Sequence, residues 1–398
     1  MQIDHITFSK TGGAGIVAET IAKAQMALGH DVNELTVVES DLRSEPLKQP
    51  VLTMAAALDE WVLSSHRENT LFSPLRRNLE SLDPSKIRSD SIIHLHWIPG
   101  VMNNQSVKTL LDSGRKVVWT LHDMNPFTGG CHHSHDCEEF TQGCSGCPQA
   151  RKPFRRIVSM NLQRNTLERK YPNLRVVSPT TWMLDQASRS TVFREQQNLF
   201  IANPIDDIFF GPIDRLTARK RLGTALDTFV AAVVAKDLSD NNKNLAFVIR
   251  AFEEVSVCAK RKLALVLIGK NGASYSSKLI EIKWLGELGS REISQAASAA
   301  DVFLSGSIAE SAGMTIIEGA AMGIPSLALA NGGTSSLIEN EKTGILCRDS
   351  ASLVSSLLEL IADSKRLSEL GAAAQIYAEN HRAEKVATRY IELYSSMT

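Results

Sequence analysis

No apolar run in this sequence is long enough to cross a bilayer as a helix. Nor is there a charge excess. The 43 Lys and Arg are balanced by 44 Asp and Glu, a net charge of -1, so composition gives no case for a nucleic-acid partner. Internal repeats and low-complexity segments are absent. The N-terminus, Ile3 to Phe8, reads as a strand and not as a signal peptide. These absences lead to the expectation of a soluble, cytoplasmic chain. Cysteine is scarce, six in 398 residues, yet four of the six fall between positions 131 and 147. In such a chain that clustering points to metal rather than disulfides. The length exceeds what one core serves, so two domains are expected.

What is present is organised around one stretch, Glu310 to Pro325. An apolar run, Asp301 to Ser305, precedes it and a second, Ser326 to Ala330, follows it. The pattern is strand, loop, short helix, strand. Glu310 falls in the loop at the carboxyl end of the first strand, the edge at which open α/β sheets bind ligands. Gly313 lets the backbone approach a ligand. The N–H groups near Met314 and Thr315 open a helix and suit an anion. Glu318 lies about one helical turn further on. Two carboxylates bracketing a helix N-terminus fit a ligand with hydroxyls at both ends and a phosphate between them, which describes a sugar nucleotide. The other reading is an ordinary amphipathic helix with two solvated Glu.

The first half opens with a strand, the loop Ser9 to Gly15 and a helix from Ile16 to Leu28, as in a mononucleotide-binding unit. The full G-x-G-x-x-G is missing, and a tight turn without a ligand is the alternative. Asp31 to Val38 reads as a strand, and Met54 to Leu82 as helix. Ser91 to Trp97 and Lys116 to Asp123 read as strands that carry His96, Trp97, His122 and Asp123 to their carboxyl ends. Asp123 would orient the His122 imidazole or cap the following turn. For His96 a structural role is expected. Cys131, Cys137, Cys144 and Cys147 supply enough thiolates for a tetrahedral, structural zinc. His132, His133 and His135 are available to replace one of them. Reduced thiols or two disulfides are the alternative. Arg151 to Lys170 reads as a basic amphipathic helix, lying either on anionic lipid or as a solvated face over the core.

In the second half, Thr228 to Lys236 is a strand, Asp237 to Asn244 a polar loop and Leu245 to Ala259 a helix. Lys236 and Lys243 flank that loop at a strand end, where cations would stabilise a departing diphosphate. Strands at 264–269, 280–286 and 343–347, and helices over 351–396, complete an alternating α/β pattern.

Glu310, seven residues and Glu318 together resemble the Glu-x7-Glu motif of retaining glycosyltransferases of family 4, with the GT-B fold. The resemblance implies two doubly wound Rossmann-like α/β domains facing a central cleft. It implies that Glu310 contacts the transferred sugar and Glu318 the nucleotide ribose. Two positions depart from the family pattern: Ala312 stands where an aromatic residue or Pro is usual, and Gly319 where Ala is usual. The loop at Gly13 resembles the Gly-Gly loop that faces the donor diphosphate. Thr120 to Asp123 resembles the family's T-x-H-D segment, whose His, here His122, bonds the donor sugar. Lys236 and Lys243 stand for the family's Arg and Lys, with a point charge where Arg offers a fork. The run from His122 to Pro148 resembles transferases that build colanic acid, capsule and O-antigen polysaccharides in bacteria.

That resemblance implies domains over 1–205, with a Cys-rich insert at 128–149, and over 206–380. It also implies a helix at 381–398 crossing back to the first domain, and a hinge near Pro204 to Pro212. It implies a hexosyltransferase that uses a nucleotide-diphosphate sugar, retains anomeric configuration and needs no metal for its chemistry. The acceptor would be an oligosaccharide or lipid-linked saccharide, met by peripheral contact with the inner face of the membrane. Two other classes remain: an epimerase-like GT-B enzyme acting on sugar nucleotides, and a non-catalytic, zinc-stabilised binding protein.

Overall fold

The protein is described by a computed structural model over residues 1–36, 48–62, 71–74, 81–167, 169–211 and 214–397. The chain divides into two units, Met1–Pro204 with Ala383–Thr398, and Ile205–Arg382.

In the first unit, strand and helix alternate: β1 (Gln2–Thr7), α1 (Gly12–Ala27), β2 (Asp31–Thr36), α2 (Lys48–Val62), β3 (Ile92–Leu95), α3 (Asn104–Asp112), β4 (Val117–Thr120), α4 (Arg155–Asn165), β5 (Leu174–Ser178), α5 (Thr181–Arg189) and β6 (Gln197–Phe200). The strands form one parallel sheet in the order β2-β1-β3-β4-β5-β6. β3 and β4 are buried along their whole length, as a parallel sheet covered on both faces requires. The strand order reverses between β1 and β3, and the carboxyl ends there are where a ligand crevice is expected.

The second unit repeats the plan with α6 (Arg215–Leu222), β7 (Phe229–Asp237), α7 (Leu245–Cys258), β8 (Leu263–Lys270), β9 (Glu281–Trp284), α8 (Ser290–Ala297), β10 (Val302–Ser305), α9 (Met314–Ala321), β11 (Ser326–Leu329), α10 (Thr334–Leu337), β12 (Gly344–Cys347), α11 (Ser350–Ala362) and α12 (Ser364–Ala378). Its sheet is also parallel, in the order β12-β11-β10-β7-β8-β9, and it reverses between β7 and β10. Asp301 locks that reversal. Its carboxylate accepts from the Val230 N–H and the Arg219 guanidinium, both at 2.7 Å, and its own N–H donates to the Val230 carbonyl. The last helix, α13 (Ala383–Ser395), belongs to the first unit and buries Val386, Ala387, Tyr390 and Tyr394 there.

Several expectations need correction. Helix α1 begins at Gly12, inside the stretch read as a loop. The helix expected over 54–82 is α2, which runs from Lys48 to Val62; residues 71–74, 81 and 82 are not helical, and 63–70 and 75–80 lie outside the described residues. Residues 37 and 38, read as strand, and Pro212, read as part of a hinge, also lie outside them. The basic helix is shorter than expected, Arg155–Asn165, after a 3-10 turn at Lys152–Phe154. It buries Val158, Asn161, Leu162 and Asn165, while Met160 faces solvent. The i, i+3, i+4, i+7 spacing of the buried set defines its inward stripe.

Candidate functional site

In the second unit, the loops after β7 and β10 meet at the switch point. Lys243 Nζ lies 2.9 Å from Glu310 Oε2, with both groups largely shielded from solvent. The Glu310 carboxylate raises the Lys243 pKa, keeping the ammonium charged despite burial. Asn242 ties the two loops together. Its side chain accepts from the Ala309 N–H at 2.9 Å and donates to the Ala309 carbonyl at 2.8 Å, and its carbonyl accepts from the Ile308 N–H. Asn244, at φ +50, then turns the chain into α7. Sequence reading passed over Asn242. Its only signal was an Asn beside a Lys at a strand end. Lys236 sits exposed near the end of β7, where the pairing with β8 shifts register between Val234 and Asp237.

Gly313 takes a left-handed conformation (φ +42) and starts α9 at Met314. The conformation calls for glycine, and a Cβ there would lie 2.8 Å from Leu337 Cδ1, so that side chain would have to shift. Met314 and Thr315 form the first turn, at the positive end of the helix dipole. The loop Asn331–Gly333 packs onto the loop before this turn, where the Gly333 N–H donates to the Glu310 carbonyl at 2.7 Å. Glu318 is partly buried one turn along, and burial pushes its carboxyl up to about 7, with Asp206 acting in the same direction. Glu310, Lys243, Gly313 and the N-terminus of α9 therefore form one cluster. The arrangement offers a cation, a carboxylate that can accept from hydroxyls, and helix N–H groups for an anion.

In the first unit, Gly13 lies in the first turn of α1, with open space where a Cβ would point. The constrained glycines are its neighbours: Gly12 has φ +82, and a Cβ on Gly15 would come within 2.2 Å of the Ser9 carbonyl. His122 follows β4 and is partly exposed. Burial lowers its pKa to about 4, against the opposing pull of Asp123, so the imidazole is neutral near pH 7. His96, not Asp123, orients it, with His96 Nδ1 at 3.0 Å from His122 Nε2. Asp123 caps the next turn by accepting from the Asn125 N–H at 2.8 Å, and it holds Trp97 Nε1 at 2.7 Å and His132 Nδ1 at 2.5 Å. Burial alone would raise its carboxyl, but His132, the Asn125 N–H and His133 together keep it below the usual range.

Cys131, Cys137, Cys144 and Cys147 are free thiols. Among the described residues, no three of them bring their sulfurs within 4.8 Å of one another. A tetrahedral zinc would hold its sulfurs ~3.8 Å apart, so these thiols as placed do not form its donor set. His132 is no substitute, because Asp123 and Ser73 (2.6 Å from Nε2) engage both its nitrogens. The cysteine segment packs into the core of its unit. Phe140, Cys131, Cys144 and Cys147 are buried in the main apolar cluster of the unit, and Phe140 meets Phe127 edge-on. Burial pushes the Cys144 thiol up to about 12 and those of Cys131 and Cys147 above their ordinary value, which makes them poor nucleophiles.

Two parallel six-stranded Rossmann-like units with helices on their faces define the GT-B class of fold. Sucrose-phosphate synthase from Thermosynechococcus elongatus superposes with a TM-score of 0.70 at 17% identity, over 100% of this chain and 98% of that one. Anabaena HepE in complex with UDP-glucose superposes with a TM-score of 0.62 at 18% identity, over 100% of both chains. More particularly, residues 228–363, which hold Lys236, Lys243, Glu310 and Glu318, match the family model described as glycosyl transferases group 1. Alpha-monoglucosyldiacylglycerol synthase from Acholeplasma laidlawii is 26% identical over 186 residues, 44% of this chain and 46% of that protein. The chain thus has glycosyltransferase homologues, and the match spans about half the length of that relative.

Proposed function

We propose that the protein is a retaining glycosyltransferase that moves a hexose from a nucleotide-diphosphate donor to a saccharide acceptor. The observation that carries this reading is the Lys243–Glu310 pair beside the N-terminus of α9, at the point where the strand order of the second sheet reverses. Lys243, Lys236 and the N–H groups of Met314 and Thr315 stabilise the departing diphosphate, and Gly313 admits it. In this reading Gly13 serves donor binding, as the resemblance of its loop implies. Glu310 and His122 contact the transferred sugar, and Glu318 contacts the ribose. HepE, a neighbour in fold, binds UDP-glucose, which supports a UDP-sugar as the first donor to test.

The acceptor in this reading is an oligosaccharide or lipid-linked saccharide used in surface polysaccharide synthesis, and the enzyme works from the cytoplasm against the inner face of the membrane. Among the described residues no helix is long and apolar enough to cross a membrane. Support for peripheral contact comes from α2. Val51, Met54, Leu58 and Trp61, spaced along one helix face, are 41–60% exposed. Trp61 meets the Phe154 ring at 4.8 Å, beside the exposed Arg151, Lys152 and Arg156. An apolar stripe with basic neighbours suits an anionic bilayer surface.

The test is thermal stabilisation by UDP-, GDP- and ADP-sugars, on the wild type and on Glu318→Ala. One nucleotide class should stabilise the wild type, by about 2.7 kcal/mol at a concentration 100 times its Kd, and the substitution should weaken the effect. No stabilisation by any sugar nucleotide would overturn the reading.

A further inference from the structure

Behind His122 the first unit buries an unbroken chain of polar side chains. His5 on β1, His94 on β3, His96 just after its end, and Gln25 on α1 are each 0–1% exposed. We propose that Gln25, His5 and His96 are positioning residues that hold His122 in a single tautomer, with Nε2 protonated and Nδ1 bare.

The chain of hydrogen bonds carries the argument. The Gln25 carbonyl lies 2.8 Å from His5 Nε2, so that nitrogen bears the proton and donates. In a neutral imidazole this leaves His5 Nδ1 an acceptor. His96 Nε2, at 2.9 Å, must then donate to it. His96 Nδ1 becomes the acceptor, and His122 Nε2 donates to it at 3.0 Å. The other end of the Gln25 amide starts a second arm. Its N–H donates to Tyr394 Oη at 3.1 Å, Tyr394 donates to His94 Nδ1 at 2.6 Å, and His94 Nε2 donates to Thr120 Oγ1 at 2.8 Å. Thr120 ends the arm on Tyr390 Oη at 2.8 Å.

Each imidazole and hydroxyl in these arms can reverse its polarity. Only the Gln25 amide has chemically fixed donor and acceptor ends. Turning it over would reverse both arms together, so the state of His122 is tied to the orientation of Gln25. Burial disfavours the charged form of all four imidazoles, which keeps the tautomer argument applicable near neutral pH.

A metal is the competing use of this cluster. His5, His94 and His96 place ligand atoms within 4.8 Å of one another, the only such set of three or more among the described residues. Yet all six of their ring nitrogens already have partners at 2.6–3.0 Å. An ion would have to displace those bonds and place its charge among groups with no carboxylate in the chain. The geometry therefore points to a relay of hydrogen bonds.

The consequence for chemistry rests on the reading of His122 as a contact to the donor sugar. A bare Nδ1 accepts from a sugar hydroxyl, so kcat should fall in a variant that mixes the two tautomers while donor KM changes little. The tautomer itself is testable without any donor. Long-range 1H–15N correlation spectra of the free protein, labelled in histidine, should give His122 one protonated Nε2 and one bare Nδ1, with widely separated 15N shifts. In Gln25→Leu the two shifts should move towards each other.

A wild-type His122 that is mixed or protonated at Nδ1 would overturn the proposal, as would unchanged shifts in a folded Gln25→Leu. If that variant does not fold, the wild-type spectrum still decides the tautomer, and His96→Gln cuts the same chain next to His122. Stoichiometric zinc uptake with joint loss of the His5, His94 and His96 signals would also overturn it. Failure of donor binding alone would leave these spectra intact and would count against the transferase reading only.

Discussion

Glu318 holds a proton far more tightly than a free carboxyl does, because burial and Asp206 both oppose its ionisation. The sign of its effect follows from linkage. The folded chain binds this proton more strongly than the unfolded chain, from the ordinary 4.5 up to about 7. Its contribution to stability is therefore largest below the ordinary carboxyl range and falls as pH rises through about 7. Glu318→Gln, neutral at every pH, should remove that fall. The check is chemical denaturation of wild type and variant between pH 5 and 8, where the difference in stability should widen in favour of the variant as pH rises. Among the residues singled out from sequence, Glu310 and Lys243 meet in one ion pair, whereas no three of the clustered thiols gather within 4.8 Å and His132 bonds to Asp123. Spacing identified the carboxylates because a strand end and a helix start fix where their side chains emerge. It says less of the four cysteines, whose loop packs Phe140 into the main apolar cluster of the unit.

At the scale of elements, the start of α9 is the most constrained feature of the candidate site. Gly313 is left-handed, and a Cβ on it would have to displace the Leu337 side chain. Gly313→Ala should cost about 1–2 kcal/mol from backbone strain alone. Displacement of Leu337 adds to that, and the shift of the first turn should weaken sugar-nucleotide binding. Denaturant midpoints and donor-induced thermal shifts measure the two effects separately. The glycines that open α1 divide their tasks in a related way. Pattern reading singled out Gly13, but Gly12 and Gly15 carry the conformational and steric demands, because the helix starts earlier than the apolar spacing shows. Short helices such as α3 and α5 left little trace in the sequence, each holding only two buried residues to mark its inner face.

At the scale of the whole molecule, the last helix of the chain completes the unit that the first strand begins. Tyr394 brings a hydroxyl from α13 to Gln25 on α1 and His94 on β3. Tyr394→Phe keeps the ring but leaves two buried polar groups without that partner, a loss of about 1–3 kcal/mol. Thermal unfolding should report it, and hydrogen exchange should locate it in α1, β3 and α13, with residues 229–362 unaffected.

The sequence by itself determined the two runs of alternating strand and helix, the carboxyl-end location of His122, Lys243 and Glu310, and the place of Glu318 one helical turn further on. Apolar periodicity and glycine placement are local properties, and a parallel α/β sheet translates them directly into position. Only the tertiary structure decided that Asn242 clasps the Glu310 loop and that Asp123 serves Trp97 and His132 instead of His122. It likewise decided that Gln25 stands behind a line of three histidines. Those partners lie on different elements, some of them far apart along the chain, and a hydrogen bond between them exists only once the sheet has brought their strands and helices together.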